Sequence, residues 1–190
     1  FVIGPRLGRT SSKEQYAFVF DTTRVAVDPQ SIYTIADPQD LLHREPLVAR
    51  FFVPGLSAAE AFTFTLVNIH TDPDETDQEL NALDDVFRIV QAQGEDDVIL
   101  LGDLNVDDQH LGELGEMPGA AWVISGQPTN TRRNKLYDNL VFDARSTVEF
   151  TGVAAVFDLP SEFGVSLDQA LEVSDHLPVY HLYNPPATTF

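Results

Sequence analysis

The 190-residue sequence has no cysteine, which excludes disulfide bonds and thiolate metal sites. That absence leaves the compartment open, because many exported bacterial proteins also lack disulfides. No stretch is long and apolar enough to span a bilayer. Internal repeats and low-complexity segments are lacking too. Bases are scarce: 11 Lys and Arg face 30 Asp and Glu, for a formal net charge of −19. A nucleic-acid footprint is normally a basic patch, so this balance alone argues against one. It tolerates phosphate chemistry only if a metal ion and a few arginines reverse the field locally. Only Lys13 and Lys135 are lysines, so the positive charge is mostly arginine, the side chain suited to bidentate phosphate contact. The excess of acid is equally compatible with adaptation to salt. Phe1-Val2-Ile3-Gly4 has no charged flank or small-residue cleavage site, and reads as the tail of a strand rather than a signal peptide. On that reading the chain starts in mid-fold.

What is present is organised around Asp97 to Asp107. Val98 to Leu101 is a continuous apolar run of strand length, suited to a strand buried on both faces. It stops at Gly102 and then presents Asp103 and Asn105. A carboxylate and an amide at the end of a buried strand suit a hard cation and a phosphate oxygen, although the same residues also make ordinary turns.

Around this stretch the sequence predicts strands at 17–20, 25–27, 47–53, 62–70, 122–124, 136–142, 148–156 and 178–183. Leu80, Leu83, Val86, Phe87 and Val90 recur at helical spacing, and Gly94 closes that helix. Residues 28–43 and 107–120 read as irregular, and 163–171 as either loop or short helix. Strands outnumber helices. The class is therefore α+β in a single domain of 190 residues, with largely antiparallel sheets.

Polar groups recur where strands end or begin: Glu14, His70, Asp103 with Asn105, Asp138, and Asp175 with His176. Two histidines with several carboxylates are what phosphodiester hydrolysis needs: a base for water, an acid for the leaving oxygen, and oxygen ligands for a metal. Taken singly, His70 reads as a structural histidine, Asp175-His176 as a turn and Glu14 as a solvated acid. Asp138 inside an apolar run is harder to dismiss, because an unpaired buried carboxylate is costly. His43, His110 and His181 have no partner suggested by sequence and read as surface residues.

Several segments together carry a resemblance. They are Leu7-Gly8-Arg9 with Lys13-Glu14-Gln15-Tyr16, Arg44-Glu45-Pro46, Asn68-Ile69-His70, Leu101-Gly102-Asp103-Leu104-Asn105, Tyr137-Asp138-Asn139 and Ser174-Asp175-His176-Leu177-Pro178-Val179. In this order they resemble the endonuclease/exonuclease/phosphatase superfamily, and within it the deoxyribonuclease I branch. The resemblance implies a four-layer α/β/β/α sandwich, of which this chain is the larger, C-terminal part. It implies metal-dependent phosphodiester hydrolysis, most readily endonuclease action on DNA. His70 and His176 would be the acid/base pair, oriented by Glu14 and Asp138. Asp103 and Asp175 would lie on the metal side, while Asn105 would hold the scissile phosphate and Arg44 would contact a phosphate. The implied ion is Mg²⁺, with Ca²⁺ or Mn²⁺ as alternatives, and the implied location is secreted or periplasmic.

The chain departs from the family in two places. The family's opening strand–helix–strand, with its Asn and its metal-binding Glu, has no counterpart here. Ser12 stands where deoxyribonucleases carry a minor-groove tyrosine. Two other readings therefore stay open: a phosphatase or phosphodiesterase acting on lipid or small phosphoesters, and an inactive truncated domain with a binding or assembly role. The missing opening would also leave apolar faces and strand edges for self-association.

Overall fold

The computed structural model describes residues 1–11, 13–55 and 62–184. Ser12 lies outside the described residues. The elements in order are β1 (Val2–Ile3), β2 (Ala17–Phe18), β3 (Ala26–Val27), a 3-10 turn (Pro29–Ser31), β4 (Tyr33–Thr34), β5 (Leu47–Phe52), β6 (Thr63–His70), α1 (Thr76–Gln91), β7 (Val98–Asp103), α2 (Gly112–Glu116), β8 (Ala120–Trp122), β9 (Asp138–Asp143), β10 (Phe150–Val156), α3 (Leu159–Phe163), α4 (Leu167–Val173) and β11 (Val179–Tyr183).

A seven-stranded sheet in the order β3-β5-β6-β7-β9-β8, with β4 also on β5, forms the frame. Every pairing in it is antiparallel except β6 with β7, which α1 joins as a crossover. β7 is central, as its apolar run requires: Val98, Ile99 and Leu100 are all fully buried.

The register divides the sheet into two faces. Val48, Val67, Val98, Leu100 and Val141 share one face. They join the buried side of α1, Leu80, Leu83, Val86, Phe87 and Val90, in one core. On the other face, Phe51 packs edge-on against Phe18 of β2 at 5.5 Å, and Phe142 against Phe150 of β10 at 5.1 Å between ring centroids. The two-stranded sheets β1–β2 and β10–β11 thus lie over that face, while Phe64, Leu66, Leu101 and Leu140 stay only partly buried. The architecture is α+β, with helix against sheet on one side and sheet against sheet on the other.

The structure adds elements where the sequence reads as irregular. Residues 28–43 contain the 3-10 turn, capped by the Asp28 carboxylate, and β4; residues 107–120 contain α2. The ambiguous 163–171 stretch enters α4, which opens with a capping box between Ser166 and Gln169.

Candidate active site

Strand register does most of the assembly. His70 is the last residue of β6, its parallel neighbour Asp103 is the last of β7, and the antiparallel partner of Asp103 is Asp138, the first of β9. Partners in register point to one face, so three chemical groups stand in a row along one edge of the sheet. β6 and β7 approach closely here because Gly102, at φ +146°, has no side chain. A Cβ there would lie 1.8 Å from the Ile69 carbonyl oxygen.

Each imidazole is held by a carboxylate from another segment. His70 Nδ1 lies 2.7 Å from Glu14 Oε2, and His176 Nδ1 lies 2.8 Å from Asp138 Oδ2. Both Nε2 atoms then turn towards Asp103 Oδ2, at 3.4 Å from His70 and 3.5 Å from His176. Hydrogen bonding through Nδ1 places the proton there and leaves Nε2 facing the shared space.

Braces surround the first pair. The buried Arg44 gives Nη1 to Glu14 Oε1 at 2.9 Å and Nε to the His70 carbonyl at 3.0 Å. Tyr16 Oη accepts the His70 amide at 3.0 Å, and burial pushes its hydroxyl up to about 12. Arg44 therefore has two donors engaged inside the protein.

Around the second pair, Thr129 is fully buried and donates its hydroxyl to Asp138 Oδ2 at 2.6 Å. It also accepts the Tyr137 and Asp138 amides at 2.9 and 3.0 Å. Tyr137 stacks on the His176 ring with centroids 6.2 Å apart. The loop carrying Asp175-His176 is pinned by Thr131, whose hydroxyl donates to the Ser174 carbonyl at 2.8 Å and whose amide donates to the Asp175 carbonyl at 2.8 Å. Sequence reading misses Thr129, since Pro-Thr-Asn looks like an ordinary turn. The only hint is Asp138 itself, a carboxylate in an apolar run that must find partners.

Charge follows from these contacts. The Asp138 hydrogen bond, opposed by burial and aided by the charges of Asp138, Asp103 and Asp175, raises His176 to about 9. Burial raises Asp103 above the usual carboxylate range, and Asp138 adds to this; the Asn105 amide and the two histidines oppose it. Asn105 takes a left-handed backbone at φ +53°. It gives its amide to Asp103 Oδ1 at 2.9 Å and its side-chain nitrogen to the Thr71 carbonyl at 2.8 Å.

A metal fits this donor set in kind. Asp103, Asp138 and His176 each offer an atom within 4.8 Å of the others, two carboxylates and an imidazole. Asp138 and His176 are bonded to each other, so Asp103 is the carboxylate best placed to receive a hard cation. Asp175 is exposed and outside that group; it acts on His176 through its charge.

No protein-family model matches the chain. Individual proteins do. Deoxyribonuclease-1-like 1 of Homo sapiens is 37% identical over 186 residues, covering 92% of this chain and 60% of that protein. Its Rattus norvegicus counterpart is 35% identical over 190 residues, covering 94% and 59%. Deoxyribonuclease gamma of Rattus norvegicus is 31% identical over 196 residues, covering 94% and 62%. Deoxyribonuclease-1-like proteins are therefore homologues of this chain over the stretch they share. The chain spans about three fifths of the length of those relatives. Solved structures show the same fold. The endonuclease domain of TRAS1, a telomere-specific non-LTR retrotransposon, aligns with TM-score 0.56 at 18% identity, over 98% of this chain and 81% of that one. D. rerio TDP2 in complex with a single-stranded DNA product aligns with TM-score 0.53 at 17% identity, over 85% and 69%.

Two histidines outside the site are not surface residues. His43 is buried, with Nδ1 3.5 Å from Asp72 and 3.6 Å from Glu75. His181 packs on Tyr183 at 4.3 Å between centroids, and burial pushes it down to about 4. Only His110 is exposed, and it pairs with Asp107 at 2.5 Å.

Proposed function

We propose that this chain is the larger part of a metal-dependent endonuclease that hydrolyses DNA phosphodiesters by histidine acid/base chemistry. One observation carries the reading: two imidazoles, each oriented by its own carboxylate, turn their Nε2 atoms towards Asp103 Oδ2 at 3.4 and 3.5 Å. The names of the relatives supply the substrate.

His176, held protonated at neutral pH, is the acid: its Nε2–H protonates the oxygen that leaves phosphorus. His70 is the base. With Nδ1–H given to Glu14, its Nε2 lone pair takes the proton from the attacking water. The water's oxygen–phosphorus bond forms as the ester bond breaks, so one proton is taken and one is given. Asn105 and Arg44 are the groups that meet the phosphate. Asp103 and, from outside the Asp103–Asp138–His176 group, Asp175 would hold the cation, proposed to be Mg²⁺, which when bound would neutralise charge on the phosphate.

The test is plasmid nicking by the purified chain in Mg²⁺ and in EDTA, beside His176→Ala. Loss of one positioned acid typically lowers the rate roughly 10²–10⁴-fold, so the variant falls by that factor while its circular dichroism stays unchanged. Nicking by the variant at the wild-type rate would remove the mechanism. Hydrolysis of small phosphoesters without nicking would replace DNA as the substrate.

A further inference from the structure

The opposite end of β7 carries a second group of acids. Glu95, Asp96 and Asp97 each offer a carboxylate oxygen within 4.8 Å of the others. Glu95 is partly neutralised, since Arg50 Nε lies 2.9 Å from its Oε2. Asp97 is not. It is 7% exposed, its backbone is fixed by the Thr65 amide at 2.8 Å, and its Oδ1 has no hydrogen-bond partner. Glu149 adds a second negative charge beside it and has a buried oxygen, Oε2, equally without a partner.

Acidic clusters are common at protein surfaces. What sets this one apart is a buried neutral oxygen facing it. Thr147 is 2% exposed; its hydroxyl lies against the Asp97 carboxylate yet makes no well-formed hydrogen bond. The Tyr183 hydroxyl, also buried and without a partner, feels the charges of Asp97 and Glu149. Burial first, then Glu149, pushes Asp97 up to about 7. Buried oxygens left without donors are costly, and two neighbouring carboxylates repel. A positive ion satisfies all of them at once.

We propose that this end of β7 binds a divalent cation of the calcium class, with Asp97 and Glu149 as charged ligands, the Thr147 hydroxyl as a neutral ligand, and Asp96 closing the site from solvent. All the donors are oxygens, which suits Ca²⁺ rather than zinc or copper. Asp103 lies six residue steps along the strand from Asp97, about 20 Å at strand rise, so this site is distinct from the histidine site. It binds the folded chain and stabilises it.

Thermal unfolding of the purified chain in EDTA and in CaCl₂ tests this. Ca²⁺ raises the melting temperature of the wild type and of Asp103→Asn. It does not raise that of the Asp97→Asn/Glu149→Gln double variant, which melts in EDTA no lower than the wild type because the repulsion is gone. Thr147→Val, which keeps every charge, needs about tenfold more Ca²⁺ for half its effect. A wild type indifferent to Ca²⁺, as expected if Asp97 and Glu149 simply share a proton, would overturn the proposal. So would a response that survives in the double variant or is lost in Asp103→Asn.

Discussion

Thr129→Val is the most searching test of how the site is held. Valine matches threonine in shape and deletes one hydroxyl, so the core keeps its volume. That hydroxyl accepts the Tyr137 and Asp138 amides at 2.9 and 3.0 Å and donates to Asp138 Oδ2 at 2.6 Å, at a residue with 0% exposure. The variant strands two half-buried N–H groups at up to about 1–3 kcal/mol each and removes a bond to a charged acceptor worth about 1.5–3 kcal/mol. These terms overlap, and a net loss of about 3–5 kcal/mol is expected. Urea unfolding followed by circular dichroism reads it as a lower midpoint at unchanged slope. Thr129→Ser keeps the hydroxyl, loses one methyl and should cost only about 1 kcal/mol. The order wild type, serine, valine is therefore the signature. If valine falls within about 1 kcal/mol of the wild type, or serine costs as much as valine, Thr129 is not the anchor of Asp138.

In a metal-free sample containing EDTA, Asp138→Asn removes the largest cause of the raised His176 pKa. The imidazole, at about 9 in the wild type, should titrate roughly one to two units lower by proton NMR, with Asp103 and Asp175 supplying what remains; an unmoved titration would disprove the assignment. Because folding raises this pKa above its ordinary 6.5, the stability it contributes is fully present below pH 6.5 and is lost as pH rises through about 9. Asp138→Asn should flatten that alkaline loss in urea unfolding. Gly102→Ala sets a Cβ 1.8 Å from the Ile69 carbonyl, backbone that cannot move without parting β6 from β7. It should yield unfolded or strongly destabilised protein, and a wild-type melting temperature would show that the close approach is not needed.

The central features were legible because they rest on local patterns. A four-residue apolar run is enough to put β7 in the middle of a sheet, and the heptad-like spacing from Leu80 to Val90 is enough to make α1. The pairings of Glu14 with His70 and of Asp138 with His176 were reached through family motifs; no rule of spacing joins residues so far apart in sequence. Some elements stay ambiguous between loop and helix although a signal exists: Ser166 with Gln169 is a capping box written in the sequence, and it opens α4. Others had none. The burial of His43 depends on Asp72, Glu75 and Glu79 arriving from beyond β6, and Thr129 acquires its role only when β9 brings Asp138 beside it.

The row formed by His70, Asp103 and Asp138 belongs to topology rather than to any one segment. One parallel and one antiparallel ladder must both close on β7 in register, and a one-residue slip in either would turn its contribution to the other face. The same strand explains why the two proposed sites can be tested separately. Val98 to Leu101 holds no charged group, so Asp97 and Asp103 meet only through space across about 20 Å. Two unit charges at that distance interact by less than about 1 kcal/mol at effective dielectrics of 20 or more. Neutralising Asp97 and Glu149 should therefore leave the His176 titration where it stands. A shift in that titration would mean that the two ends of β7 are coupled by a change of structure rather than by charge.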